Sequence, residues 1–175
     1  MAQSAFVVTV PEAESLVAPL RERFDASAAL GVPAHITVLF PFMPPDDITP
    51  SVLADAQASL STVAAFSFTL ADIGRFPQST YLSPTPAEPF ISLTAALAEC
   101  FPSFPPYVGE HRSVIPHLTV AHGDARHAQT AADELEKRMR ASSPLRAMCR
   151  SVTLLENAGG RWKALHTFPL PSMPF

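Results

Sequence analysis

The pattern that most restricts the fold of this chain is a repeated order of elements. Strand, helix and strand lead to Ala34-His35-Ile36-Thr37-Val38, and a second strand, helix and strand lead to Pro116-His117-Leu118-Thr119-Val120. The first unit begins with the apolar run of residues 5–10. Pro11 then suits a first helical position, and Leu16, Val17, Leu20 and Phe24 recur at helical spacing, which predicts a helix over residues 11–25. Residues 34–40 read as its second strand.

Thr49-Pro50 reads as a cap and first turn of a helix reaching about residue 64. Phe66-Ser67-Phe68-Thr69-Leu70 alternates as a half-buried strand does, with residues 74–78 extending or turning it. A short strand at residues 80–83, a helix over 89–100 and a strand over 117–121 complete the second unit. Asp124 suits the cap of a helix ending near Arg140. Two last strands, 145–155 and 161–170, face each other across Asn157-Ala158-Gly159-Gly160, a plausible hairpin turn. Interleaved elements with a closing antiparallel hairpin imply an α+β fold of sheet and helices in two layers.

A chain of 175 residues with 47% hydrophobic and 16% charged residues can bury a core and is expected to form one domain, 1–175. Its 19 prolines occur in short clusters, such as residues 41–45 and 102–106, that stiffen loops. A net charge of -4, with only 12 Lys and Arg, argues against a protein that coats long nucleic acid. A small phosphate ligand or a single RNA end remains compatible. No stretch reaches the ~20 apolar residues of a membrane span, and the apolar N-terminus lacks the basic segment of a signal peptide. Cys100 and Cys149 make neither a disulfide framework nor a zinc cluster, so the expected setting is a reducing cytoplasm.

The two repeated strings carry the chemistry. Side chains alternate along a strand, so His35 and Thr37 share one face while Ile36 and Val38 take the other. His117 and Thr119 repeat the arrangement. With Thr and Val at 12 positions each, Thr at +2 and Val at +3 follow a given histidine about once in 200, and two of six histidines do so. A histidine on a half-buried strand explains one such string, but hardly a matched pair. Side by side, the strands would present two imidazoles and two hydroxyls to one cleft. One neutral imidazole can take a proton from an attacking oxygen and one protonated imidazole can give a proton to a leaving oxygen. The hydroxyls can donate to phosphate oxygens as charge builds there. Neither role needs a metal or a cofactor.

Two H-x-T motifs 82 residues apart (117 − 35), each on a predicted strand, resemble the 2H phosphoesterase superfamily, in particular its 2′-5′ RNA ligase-like and 2′,3′-cyclic phosphodiesterase branch. Residues 33–42, Gly74-Arg75-Phe76-Pro77 and Pro116-His117-Leu118-Thr119-Val120-Ala121 carry the likeness. The resemblance implies a bilobal fold with two antiparallel sheets flanked by helices, pseudo-twofold symmetry, and one motif from each lobe facing a central cleft. It also implies His35, Thr37, His117 and Thr119 as the working residues and a cyclic phosphate or RNA terminus as substrate; separately, the chain is expected to be a monomer.

Arg75 and Tyr107 are the further substrate-binding candidates, Arg75 for a phosphate and Tyr107 for a base. Arg112, Arg161 and Lys163 are other cations near predicted strand ends, and Phe42, Phe76 and Trp162 other rings able to stack. A rival reading places a metal on His117, His122, Asp124 and His127. His122 lies one residue out of phase with Thr119, which predicts that it faces away from the cleft. A second rival is a nucleotide- or RNA-end-binding module that uses the same cleft without catalysis.

Overall fold

The computed structural model describes residues 1–109 and 114–173. Eight strands and five α-helices follow one another among these residues: β1 (Ser4–Thr9), α1 (Glu14–Phe24), α2 (Ala26–Ala29), β2 (His35–Leu39), α3 (Pro50–Leu60), β3 (Phe66–Phe76), β4 (Ser79–Thr85), α4 (Glu88–Cys100), β5 (Leu118–His122), α5 (Ala125–Arg140), β6 (Leu145–Cys149), β7 (Ser151–Glu156) and β8 (Lys163–Pro169). The caps read from the sequence are in place. Thr49 Oγ1 accepts the Val52 amide at 3.2 Å, and Asp124 Oδ1 accepts the His127 amide at 2.7 Å. Pro11 opens a short 3-10 turn that runs into α1.

All eight strands form one antiparallel sheet in the order β6-β3-β4-β5-β2-β1-β7-β8. The two sheets implied by the family likeness are its two four-stranded halves. They meet where β2 lies along β5, at the pair Ile36↔Leu118. Helices follow the same division: α1 and α5 pack together against β5 and its neighbours, while α3 and α4 pack together against β2 and β8. The helices share one face of the sheet. There Phe6, Val8, Ile36, Val38, Leu118 and Val120 join Leu20, Leu60, Leu93 and Leu135 in a single core.

One strand expectation is corrected. Residues 145–155 do not make one strand, because the chain breaks at Arg150 and sends its halves to opposite halves of the sheet. β6 pairs with β3, whereas β7 pairs with β1. Both pieces carry enough apolar residues to be buried, so composition alone gives no sign of the break. The closing hairpin is correct: β7 pairs with β8 and the Gly160 amide donates to Asn157 O at 2.9 Å.

β1 is buried on both faces. Phe6 and Val8 enter the helix-covered core, while Ala5 and Val7 join Val32 and Leu155 in a smaller cluster on the opposite face, with Phe40 and Trp162 against it. That second cluster forms part of the floor of the cleft. Cys149 is buried, and burial pushes its thiol up to about 12, too high to leave a reactive thiolate near neutral pH. Among the described residues no helix is long and apolar enough to cross a membrane.

Candidate active site

The cleft lies on the sheet face away from the helices, has a volume of about 700 Å³ and crosses the β2–β5 junction. His35, Thr37, His117 and Thr119 all line it. Their layout follows from one register. Because Ile36 faces Leu118 in an antiparallel pair, His35 lies opposite Thr119 and Thr37 opposite His117. Opposed side chains start about 5 Å apart and residues two apart along a strand about 7 Å apart. Each imidazole therefore stands across from a hydroxyl, and the imidazoles occupy one diagonal. A phosphate at the centre is within reach of all four.

Both rings are held the same way. The Pro33 carbonyl accepts a hydrogen bond from His35 Nδ1 at 2.8 Å, and the Ile115 carbonyl accepts one from His117 Nδ1 at 2.7 Å. A carbonyl can only accept, so each Nδ1 carries the proton and each Nε2 is left for the cleft. Nε2 then acts as a base in the neutral ring and as an acid in the charged one. Burial lowers the pKa of both, offset in part by the two carbonyls; for His35, Arg21 lowers it further, Asp25 raises it and His117 adds to the lowering.

Aromatic rings support His117. The Tyr81 ring lies tilted against it at 5.3 Å between ring centroids and Phe76 meets it edge-on at 5.3 Å, with Phe76 and Tyr81 themselves 4.5 Å apart. Gly74 lies opposite Tyr81 on β3, and the Tyr81 ring occupies the space a Cβ at Gly74 would need. On the other side of the cleft Arg21, only 3% exposed, is clamped by three partners. Its Nε donates to Asp25 at 3.0 Å, its Nη1 to the Val32 carbonyl at 2.9 Å and its Nη2 to Ser27 Oγ at 3.2 Å. Asp25 and Ser27 reach the cleft wall. Sequence reasoning did not find Tyr81, Ser79 or the Arg21–Asp25 pair; an arginine four residues before an aspartate on a helical stretch was the available sign.

Of the remaining candidates, Tyr107 lines the cleft with Phe76 and Trp162. Tyr107 and its neighbour Val108 hold left-handed φ values of 50° and 55°, which cost non-glycine residues about 1–2 kcal/mol each. The Tyr107 amide donates to Phe40 O at 2.8 Å, which ties this loop to the end of β2. Burial raises the Tyr107 pKa, so the phenol keeps its proton. Arg75 is not part of the cleft. Its neighbour on β3, Phe76, lines the cleft, so alternation turns Arg75 to the other face, where it donates to Gln129 of α5. Lys163 pairs with Glu156 at 3.5 Å and Arg161 donates to the Ala29 carbonyl at 2.8 Å. Phe42 is core, edge-on to Phe6, Phe101 and Phe104. Arg112 lies outside the described residues.

The expectation for His122 is overturned. Thr119 pairs with Tyr81 but Ala121 pairs with Thr80, so Val120 is an extra residue in β5, a β-bulge. Val120 and Ala121 both enter the core, and the phase of the strand shifts by one. His122 thus shares the cleft face with Thr119, opposite Ser79, whose Oγ lies 2.7 Å from its Nδ1. His127 pairs instead with Asp124 at 3.0 Å at the start of α5. The residues of the metal reading are divided between two places, and no group of three or more His, Cys, Asp and Glu converges among the described residues.

A two-lobed sheet carrying one H-x-T motif from each half, with both pairs aimed into the cleft between them, defines a class. The family model of the 2′-5′ RNA ligase superfamily matches residues 9–161, and the chain belongs to that superfamily. Among solved structures it is similar to Escherichia coli LigT complexed with NADP+, with a TM-score of 0.61 and 16% identity over 97% of this chain and 98% of that one. It is similar to LigT complexed with phosphate, with a TM-score of 0.59 and 17% identity over the same shares. TT0787 of Thermus thermophilus has the same fold, with a TM-score of 0.61 and 19% identity over 98% of this chain and 100% of that one. No curated protein matches the sequence.

Proposed function

We propose that this protein is a metal-independent phosphoesterase that opens a 2′,3′-cyclic phosphate, or cleaves a 2′-5′ linkage, at an RNA end or on a small nucleotide. The observation that carries this reading is the diagonal of two imidazoles, each with Nδ1 tied to a carbonyl and Nε2 free for the cleft. One Nε2 takes the proton of the attacking water while the other protonates the departing ribose oxygen. Thr37 and Thr119 donate to the non-bridging oxygens as negative charge collects on them. Placing the imidazoles on a diagonal suits an in-line displacement, in which the entering and leaving oxygens lie on opposite sides of phosphorus.

The family match supports phosphoesterase or RNA ligase-like chemistry, and the similar LigT fold is known in complexes with phosphate, 3′-AMP and ATP. The net charge of -4 favours a short substrate over long RNA. Arg146 and Arg150 line a shallow groove away from the cleft, together with Glu12. The protein is taken to work as one two-lobed monomeric unit in the cytoplasm. The test is a panel of 2′,3′-cyclic nucleotides, 2′-5′ dinucleotides and RNA ends bearing cyclic phosphate, with EDTA present. Turnover of at least one member, lost in His35→Ala and in His117→Ala, is the expected result. Tight binding with no turnover would replace this reading with that of a binding module, and turnover abolished by EDTA would overturn the metal-free mechanism.

A further inference from the structure

Among the described residues three imidazoles, not two, face the cleft, and they differ in their partners. His35 and His117 each give Nδ1 to a carbonyl, which leaves a lone pair on Nε2 in the neutral ring. His122 has a hydroxyl partner instead, Ser79 Oγ at 2.7 Å. A hydroxyl can donate to Nδ1, and then Nε2 carries the proton. With the hydroxyl as donor, the neutral His122 ring presents an N–H at Nε2 to the cleft. That makes it suited to hold an anion and ill suited to act as the base.

Its position adds the second part. Phe76, Ser79 and His122 lie in one row across β3, β4 and β5, since Phe76 pairs with Ser79 and Ser79 with His122. Gly74, Tyr81 and Thr119 form the next row, one two-residue step away, about 7 Å. Thr119 belongs to the quartet around the reacting phosphate. His122 sits one row along the sheet from that quartet, and a step of this size is comparable to the spacing of successive phosphates in a ribonucleotide chain.

We infer that His122, with Ser79 behind it, binds the phosphate adjacent to the reacting one, so that the preferred substrate is a dinucleotide or longer end with a terminal cyclic phosphate. This rests on the phosphoesterase reading of the same cleft. The bulge at Val120 is the local device that creates the subsite, because without it the His122 side chain would point into the helix-covered core.

The test compares a 2′,3′-cyclic mononucleotide with a dinucleotide ending in the same group, and with that dinucleotide carrying an uncharged methylphosphonate bridge. A charge-assisted hydrogen bond predicts a dinucleotide preference in kcat/KM of about tenfold to a hundredfold. The preference should disappear with the methylphosphonate, disappear in His122→Ala and return in His122→Arg, which restores a hydrogen-bond donor. Equal use of mononucleotide and dinucleotide by the wild type overturns the inference, as does an equal fall for both substrates in His122→Ala. Calorimetric binding of the corresponding 3′-phosphorylated mononucleotide and dinucleotide separates the two levels. If no cyclic substrate is turned over, the phosphoesterase reading fails, while the ratio of the two affinities in wild type and His122→Ala still decides the subsite.

Discussion

Replacing Gly74 with alanine tests whether the aromatic cluster behind His117 belongs to the working site. A Cβ at this position would overlap Cε2, Cζ and Oη of Tyr81. These atoms are the far end of a side chain, so the ring can move and the backbone need not. The folding cost then sits at the low end for overpacking, about 1 kcal/mol, and the relief of strand glycine entropy offsets about half of it. For a chain of 175 residues the melting temperature should fall by only about 1–2 °C. Activity should suffer far more. Tyr81 is packed at 4.5 Å from Phe76 and 5.3 Å from His117, so its displacement carries one or both along. A misplacement of about 1 Å at a catalytic group costs on the order of 10²-fold in kcat/KM. The assay is a double-mutant cycle of Gly74→Ala and Tyr81→Ala, scored by melting and by kcat/KM on a cyclic nucleotide. With Tyr81 truncated the new methyl has nothing to strike, so Gly74→Ala should be close to neutral in that background. Wild-type kcat/KM in Gly74→Ala, or effects of the two changes that simply add, would refute the reasoning.

His35→Ala and His117→Ala should each lower kcat by about 10²–10⁴-fold, with the double variant only slightly worse because the pair acts as a unit; full activity in either single variant contradicts the assignment. Burial first of all holds both imidazoles below the usual 6.5, so both limbs of the kcat/KM bell should lie on the acid side of those of free imidazole pairs. A basic limb in kcat/KM well above pH 7 would contradict it. The same shifts act on stability. The unfolded chain binds protons at these histidines more readily than the folded one between the folded pKa values and 6.5, so stability rises with pH across that window and is fully present above it. Urea midpoints from pH 7.5 downward should therefore fall less steeply in a His35→Asn, His117→Asn double variant than in the wild type, and parallel curves would count against the shifts.

Much of this protein is legible in its sequence because it rests on local periodicities. The alternation at His35-Ile36-Thr37-Val38 and at His117-Leu118-Thr119-Val120 separates cleft residues from core residues without any knowledge of the neighbours, and Ile36, Val38, Leu118 and Val120 are core. Caps at Thr49 and Asp124 are likewise local, since each side chain satisfies amides within its own first turn. The repeated strand–helix–strand order anticipates two halves of a sheet, each supplying one motif.

What depends on pairing was decided only by the tertiary structure. Residues 145–155 look like one strand, and only the partners on offer, β3 for β6 and β1 for β7, divide them between the two halves of the sheet. The diagonal arrangement of imidazoles needs the single register Ile36↔Leu118, and a strand carries no local record of its register with a partner 82 residues away in sequence (118 − 36). Arg75 stands beside cleft residues in sequence but faces Gln129, because one position along a strand is the opposite side of a sheet. His122 shows the converse. Strict alternation turns it away from the cleft, and the extra residue Val120 turns it back. A bulge is a mismatch between two strands, and β5 alone contains only half of that information.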